Sequence, residues 1–165
     1  MVDGETKMTE SSGICYYLGT KYGPTPLVVG QDDAAYGAFL NWMYFSDATL
    51  TFPQTLVLRY SQLEPEERRN PQVAGDYAKW FLGRLRAVEA ATGNAETLCA
   101  GRFTAADIVN GYALRLASNI GLAKDFGPNV AAYWARLQER DGYKRAVAAE
   151  RKAGVEQNVA PRIRA

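Results

Sequence analysis

Histidine is missing from all 165 residues of the chain. Its absence removes the imidazole general base, the Ser-His and Cys-His nucleophile pairs and the His metal ligand, and with them the commonest routes to hydrolysis and zinc chemistry. Cysteine is scarce: Cys15 and Cys99 are the whole complement, too few for a disulfide framework. They fit a reducing compartment, so a cytoplasmic location is expected. Neither sign of charge dominates, since 19 Lys and Arg face 18 Asp and Glu for a net +1. No broad nucleic-acid or anionic-membrane surface is expected from that balance. Long hydrophobic runs are missing too. The longest uncharged stretch, Ala34 to Ser46, has 13 residues, short of the roughly 20 a membrane span needs. The opening segment MVDGETK carries an early acid and no apolar secretory core.

What remains is ordinary globular composition: 47% apolar and 22% charged residues, with three Trp, ten Tyr and six Phe. That is enough to bury the core of one domain. Glycines and prolines cut the chain into segments that mostly follow a helical period. Ile14, Cys15, Leu18 and Tyr22 share a helix face within 10–22, and Gly23-Pro24 stops it. Ahead of it lie an Asp3-Gly4 turn and a short possible strand, Lys7 to Thr9. Residues 24–31 read as a linker.

A second helical run opens at Asp32-Asp33 and carries Tyr36, Phe39, Leu40, Met43 and Tyr44. It extends toward Leu63, with Pro53 expected to kink or split it. A third starts at Asn70-Pro71, an N-cap followed by Pro at the first helical position, with the stripe Val73, Tyr77, Trp80, Phe81, Leu85 and Val88. A fourth runs from Phe103-Thr104 through Ile108, Tyr112 and Leu116 to Asn119, and two more follow Pro128 and Gly142. Trp80 and Trp134 lie on regular stripes and are expected in the core. With no sustained period-two alternation after residue 24, the body is expected to be an all-α helical bundle. Lys144, Arg145, Arg151, Lys152, Arg162 and Arg164 gather near the C-terminus, but Glu150 and Glu156 interrupt them, which favours a solvated face and tail over nucleic-acid binding.

Two short segments carry the most information. In FTAADI, Thr104 and Asp107 have the spacing of a capping box, with Phe103 and Ile108 as its hydrophobic staple. Its expected role is structural, because a carboxylate committed to capping is poorly free for acid-base work. In MTESSGI, Glu10 and Ser11 stand where a strand gives way to a helix. A helix N-terminus offers unpaired N–H groups and partial positive charge to a carboxylate, and a neighbouring acid can hold an ammonium. Such a pair suits an amino-acid moiety, although Ser and Glu at a helix start commonly serve only as caps.

Taken together, DGETKMTESSGICYYL, NWMYFSDATLTFP, GRFTAADIVNGYALR and ERDGYKRAVAA resemble the glutathione transferase family over residues 2–153. The resemblance implies a remnant of a thioredoxin-like, glutathione-binding domain at 1–23, a linker at 24–31, the helical C-terminal domain at 32–153 and a flexible tail at 154–165. It implies that Glu10 and Ser11 hold the γ-glutamyl end of glutathione as co-substrate. Tyr44, Phe45 and Thr49 would line the pocket for a small hydrophobic electrophile, although aromatic packing or a dimer contact would use them equally well. The implied partners are glutathione, that electrophile and a second copy in a homodimer, with no nucleic acid, membrane or metal.

The family activates the thiol with a Tyr, Ser or Cys in a strand-helix unit that has no counterpart here, so no catalytic residue is expected among these positions. The chain alone is expected to be inactive. Cys15 lies on the apolar stripe with Ile14 and Leu18, and Cys99 stands between Leu98 and Ala100 just before the capping box; both read as packing residues. Gly13 stands where the family usually has a small Ala. The alternative is a non-catalytic helical domain for protein interaction.

Overall fold

The computed structural model describes residues 1–159. Arg162 and Arg164 therefore lie outside the described residues. A two-stranded antiparallel hairpin, β1 (Val2–Asp3) and β2 (Thr6–Lys7), pairs Val2 with Lys7 and Asp3 with Thr6. Its tight turn needs the left-handed backbone of Gly4, at φ +58. The rest is helical: α1 (Ser11–Lys21), α2 (Tyr36–Tyr44), α3 (Phe52–Leu58), α4 (Pro71–Thr92), α5 (Ala105–Asn119), α6 (Pro128–Glu139) and α7 (Asp141–Glu156). The all-α expectation holds, and α7 runs on into the segment expected to be tail.

Helix α5 is the axis of the bundle. It packs against α1, α2, α6 and the turn that follows α2, while α4 covers α3 and α6. One apolar cluster fills the space around α4, α5 and α6, with Phe81, Val88, Leu114, Val130 and Tyr133 fully buried. A second lies under α1 and α2, around Val29, Phe39 and Ala106, and half-buried Trp42 packs on both. The linker is fixed to α5 at its start: the Ala105 N–H donates to Leu27 O at 2.7 Å, and Arg102 Nε donates to Pro26 O at 3.1 Å. A side chain at Gly19 would overlap Val28, so this glycine lets the linker lie close against α1.

Pro53 does not split the second helical run. Helix α2 passes into a π-helical turn (Phe45–Thr51), then α3, then a second π-helical turn (Arg59–Leu63). The wider register ahead of Pro53 lets the Phe52 N–H reach Asp47 O, so the missing proline N–H leaves no break. Side chains between this run and α5 bond the backbone carbonyls on both sides. Asn110 Nδ2 donates to Trp42 O at 2.8 Å, Gln54 Nε2 to Leu50 O at 3.1 Å and Ala113 O at 3.0 Å, and Ser46 Oγ to Val109 O at 2.7 Å. The irregular helix and α5 are thereby held in one register.

Two stripe assignments are corrected. Trp134 is buried as expected, but Trp80 is 47% exposed. The buried face of α4 is Ala74, Phe81, Leu85, Val88 and Thr92, and Trp80 sits beside it, stacked on Tyr77 with centroids 5.5 Å apart. Likewise α5 buries Ala106, Val109, Ala113, Leu114 and Ala117, leaving Ile108 and Tyr112 outside at 40% and 55% exposure.

Candidate functional site

Glu10 is the N-cap residue of α1, with extended backbone and a side chain that makes no capping bond. Its carbonyl accepts the Ile14 N–H at 2.9 Å, and its carboxylate accepts only the neighbouring Thr9 hydroxyl, at 3.3 Å. Ser11 opens the helix and is exposed. The start of α1 thus has no side-chain cap and carries an exposed hydroxyl beside an exposed acid, an arrangement that suits a ligand carboxylate with an adjacent ammonium. The hydroxyl of Ser12 is turned inward, buried and without a hydrogen-bond partner.

This corner is held by residues that sequence reasoning passed over. Asp3 Oδ2 accepts from Tyr17 OH at 2.9 Å, Lys21 Nζ at 2.8 Å and Tyr22 OH at 2.6 Å, tying the hairpin to the far end of α1. The Lys21 hydrogen bond leads these contacts in lowering the Asp3 carboxyl to a pKa of about 2. The same bond raises the Lys21 ammonium. A legible signal existed in the Tyr17–Lys21 spacing, which puts both side chains on one face of the helix, where Lys21 Nζ donates to Tyr17 OH at 2.7 Å.

Of the three expected pocket residues, Tyr44 ends α2, and Phe45 and Thr49 lie within the first π-helical turn. Tyr44 is 72% exposed, Phe45 is half-buried against the main core with its ring edge-on to Trp42 at 5.1 Å, and Thr49 is half-buried. Helix α1 meets α2 through Tyr16, whose ring lies 6.1 Å from that of Phe39. The Tyr36 hydroxyl raises the Tyr16 pKa, with smaller contributions from burial and from Tyr44.

Neither thiol is activated. Burial pushes Cys15 up, with Asp47 adding to the effect, and burial pushes Cys99 up as well. Thr104 and Asp107 form the expected capping box at the start of α5. Asp107 is fully buried and carries more than the cap. Its Oδ2 accepts from the Thr104 N–H at 2.8 Å and the Thr104 hydroxyl at 3.2 Å, and its Oδ1 from the Leu98 N–H at 3.0 Å and Tyr133 OH at 2.8 Å. With four donors on two oxygens it has no capacity left for acid-base work. Among the described residues no group of three or more His, Cys, Asp or Glu side chains is placed to hold a metal, and no helix is long and apolar enough to cross a membrane.

No protein-family model matches the chain, and no curated protein sequence matches it. Solved structures do. The chain is similar to Ure2p5 from Phanerochaete chrysosporium, cocrystallized with 1-(S-glutathionyl)-2,4-dinitrobenzene, at 22% identity and TM-score 0.78, over 88% of this chain and 70% of that one. It is similar to the glutathione transferase URE2P8 of the same fungus with oxidized glutathione, at 21% identity and TM-score 0.77, over 88% and 67%. It also matches a glutathione transferase from Pseudomonas putida with glutathione disulfide bound, at 19% identity and TM-score 0.72, over 84% and 60%. The described residues therefore have the glutathione transferase fold, comprising its helical bundle and the short strand-helix element that leads into it.

Proposed function

We propose that the chain belongs to a glutathione transferase, whose parent activity joins the glutathione thiol to a small hydrophobic electrophile. The observation that carries this reading is the uncapped start of α1, where exposed Ser11 and the N–H groups suit the γ-glutamyl carboxylate and Glu10 its ammonium. In this reading residues 1–23 end a glutathione-binding domain, 24–31 link it to the helical domain at 32–153, and 154–165 are tail. Tyr44 and Thr49 form the wall for the electrophile, with Phe45 as its base in the core. The polypeptide of 165 residues turns over poorly by itself, because the hydroxyls of Tyr17 and Tyr22 are committed to Asp3 and that of Tyr133 to Asp107, leaving none of the three to donate to a thiolate, and burial raises both of its own thiols.

The test is calorimetric titration with glutathione and with cysteinylglycine, which lacks the γ-glutamyl group. Glutathione is expected to bind more tightly. Ser11→Ala combined with Glu10→Gln should lower its affinity roughly 10- to 100-fold, the loss of hydrogen bonds to charged groups, and leave cysteinylglycine unaffected. Equal affinity for the two peptides would overturn the site.

A homodimer is part of the same proposal. Phe52 and Trp80, about half exposed, meet edge to face at 6.5 Å and form with Tyr77 an aromatic patch across α3 and α4. Trp80→Ser should shift sedimentation from dimer to monomer. A wild-type monomer at tens of micromolar would favour the alternative, an interaction domain that uses this patch for another protein.

A further inference from the structure

In the run from α2 to α3 the Phe52 N–H donates to Asp47 O, five residues back, where an α-helix would give that carbonyl the N–H of Thr51. The wider step decides how two side chains of the proposed electrophile wall stand to each other. Tyr44 and Thr49 are five apart, and on a straight α-helix, at about 100° per residue, they would lie roughly 140° apart around the axis. The i→i+5 bonding of the π-helical turn brings residue 49 back over residue 44, so that one face carries both.

The local sequence does not by itself hold the wide step at Phe45–Thr51. Pro53 has no N–H to give and favours a widened turn beside it, toward the end of that range. Three fully buried side chains bracket the turn instead. Asn110 Nδ2 donates to Trp42 O just ahead of it at 2.8 Å, and Ser46 Oγ, within it, donates to Val109 O at 2.7 Å. Gln54 Nε2, just after it, donates to Leu50 O at 3.1 Å and to Ala113 O at 3.0 Å. Stability alone would not select this seam. Asn110 Oδ1 and Gln54 Oε1 are buried without a hydrogen-bond partner among the described residues, and apolar side chains of similar shape would strand no acceptor. What the amides supply is register, because each N–H is spent on one particular carbonyl and apolar contact does not distinguish between carbonyls.

We infer that Asn110 and Gln54 are positioning residues for the electrophile: with Ser46 they pin the wide step at Phe45–Thr51 and so set Tyr44 and Thr49 on one wall. The choice of substrate rests on the proposed glutathione transferase reading; the pinned register does not. Without the seam the wide step slides toward Pro53, the Asp47 carbonyl passes to the Thr51 N–H, and Tyr44 turns away from Thr49. The start of α1 is untouched, so glutathione itself keeps its affinity.

Two measurements on the full 165-residue chain separate register from substrate. In the unliganded protein, hydrogen-bond scalar couplings should link Asp47 C′ to Phe52 N in the wild type, and to Thr51 N in the double variant Asn110→Leu with Gln54→Leu. Calorimetry should show S-hexylglutathione, with an apolar chain on its sulfur, binding the wild type at least about tenfold tighter than glutathione, the gain from burying about two methylenes. In the double variant this ratio should fall toward unity while glutathione affinity is unchanged, a split that a general loss of stability does not produce. Ser46→Ala removes one hydrogen bond and little volume, and keeps the test open if the double variant does not fold. It should show both Asp47 couplings and an intermediate ratio. Retention of the Asp47–Phe52 coupling alone in every folded variant, a ratio unchanged once the coupling has moved, or an equal loss of both ligands would overturn the inference. Equal binding of glutathione and cysteinylglycine by the wild type would strike the γ-glutamyl corner instead, and the couplings would then support or overturn the pinned register by themselves.

Discussion

The start of α5 and the start of α1 are both helix N-termini with an acid and a hydroxyl close by, and the chain treats them in opposite ways. At α5, Thr104 and Asp107 are fully buried, and Asp107 joins the loop at Leu98 and helix α6 at Tyr133 to the cap. At α1, Glu10 and Ser11 are exposed, no side chain caps the helix, and a hairpin of two-residue strands is tethered through the partly exposed Asp3. A helix start whose donors are all satisfied can only hold structure. One that no side chain caps leaves its donors for a ligand, and the stability it lacks must come from elsewhere.

The largest break in that comparison comes from Asp107→Ala. It strands the Leu98 and Thr104 N–H groups and the Tyr133 hydroxyl in the core, and should cost about 3–5 kcal/mol, a large share of a small domain's stability. Urea denaturation followed by circular dichroism measures it, and a loss under about 1 kcal/mol would mean that the hub is not a hub. Tyr133→Phe removes one hydrogen bond to a charged group and should cost about 1.5–3 kcal/mol by the same measurement. The matching change at the other start, Ser11→Ala, is expected to move the unfolding midpoint little, because nothing in the chain depends on that hydroxyl.

Gly13→Ala sharpens the contrast from the other side. An added Cβ would meet Met8 Cε at 3.5 Å and Glu10 Cβ at 3.7 Å, ordinary contact distances, so the substitution fits. It should stabilise the chain by about 0.5–1 kcal/mol through the helix and the unfolded state. A loss of stability would show that α1 is more tightly packed at its start than its exposure indicates.

These two starts also show how far the residues alone can be read. FTAADI announces a cap through spacing, and its local half is what formed. The bonds from Asp107 to Leu98 and Tyr133 join positions 9 and 26 residues away and leave no trace in a local pattern. Periodicity located every long helix but misjudged faces where the register changes. Pro53 predicts a break only if the helix ahead of it stays α-helical, and the π-helical turn removes that premise. Trp80, Ile108 and Tyr112 fit apolar stripes, yet each lies just off the face that meets a neighbour, and which face that is depends on how helices pack. Glu10 and Ser11 were legible as residue types at a helix start. Their openness was not, because it depends on what fails to cap them.

The smallest expected effect is local and depends on pH. Asp3 has a folded-state pKa of about 2, below its unfolded value near 3.9. A depressed carboxyl contributes stability that is complete above the unfolded pKa and is lost as pH falls through the folded one. The hairpin should therefore stay docked on α1 from neutrality to about pH 4, and loosen between roughly pH 4 and pH 2 as Asp3 takes up its proton. Because the carboxylate is solvent-accessible, salt should weaken the tether at neutral pH. Exchange protection of the Met8 amide, which donates to Met1 O across the hairpin at 3.0 Å, reads this directly, and Asp3→Asn should leave that protection low with no transition across the interval. Over the same interval the Leu98 amide, donated to buried Asp107, should hold its protection longer than the hairpin does. If the two regions instead let go at one midpoint, the two helix starts would be parts of a single cooperative unit.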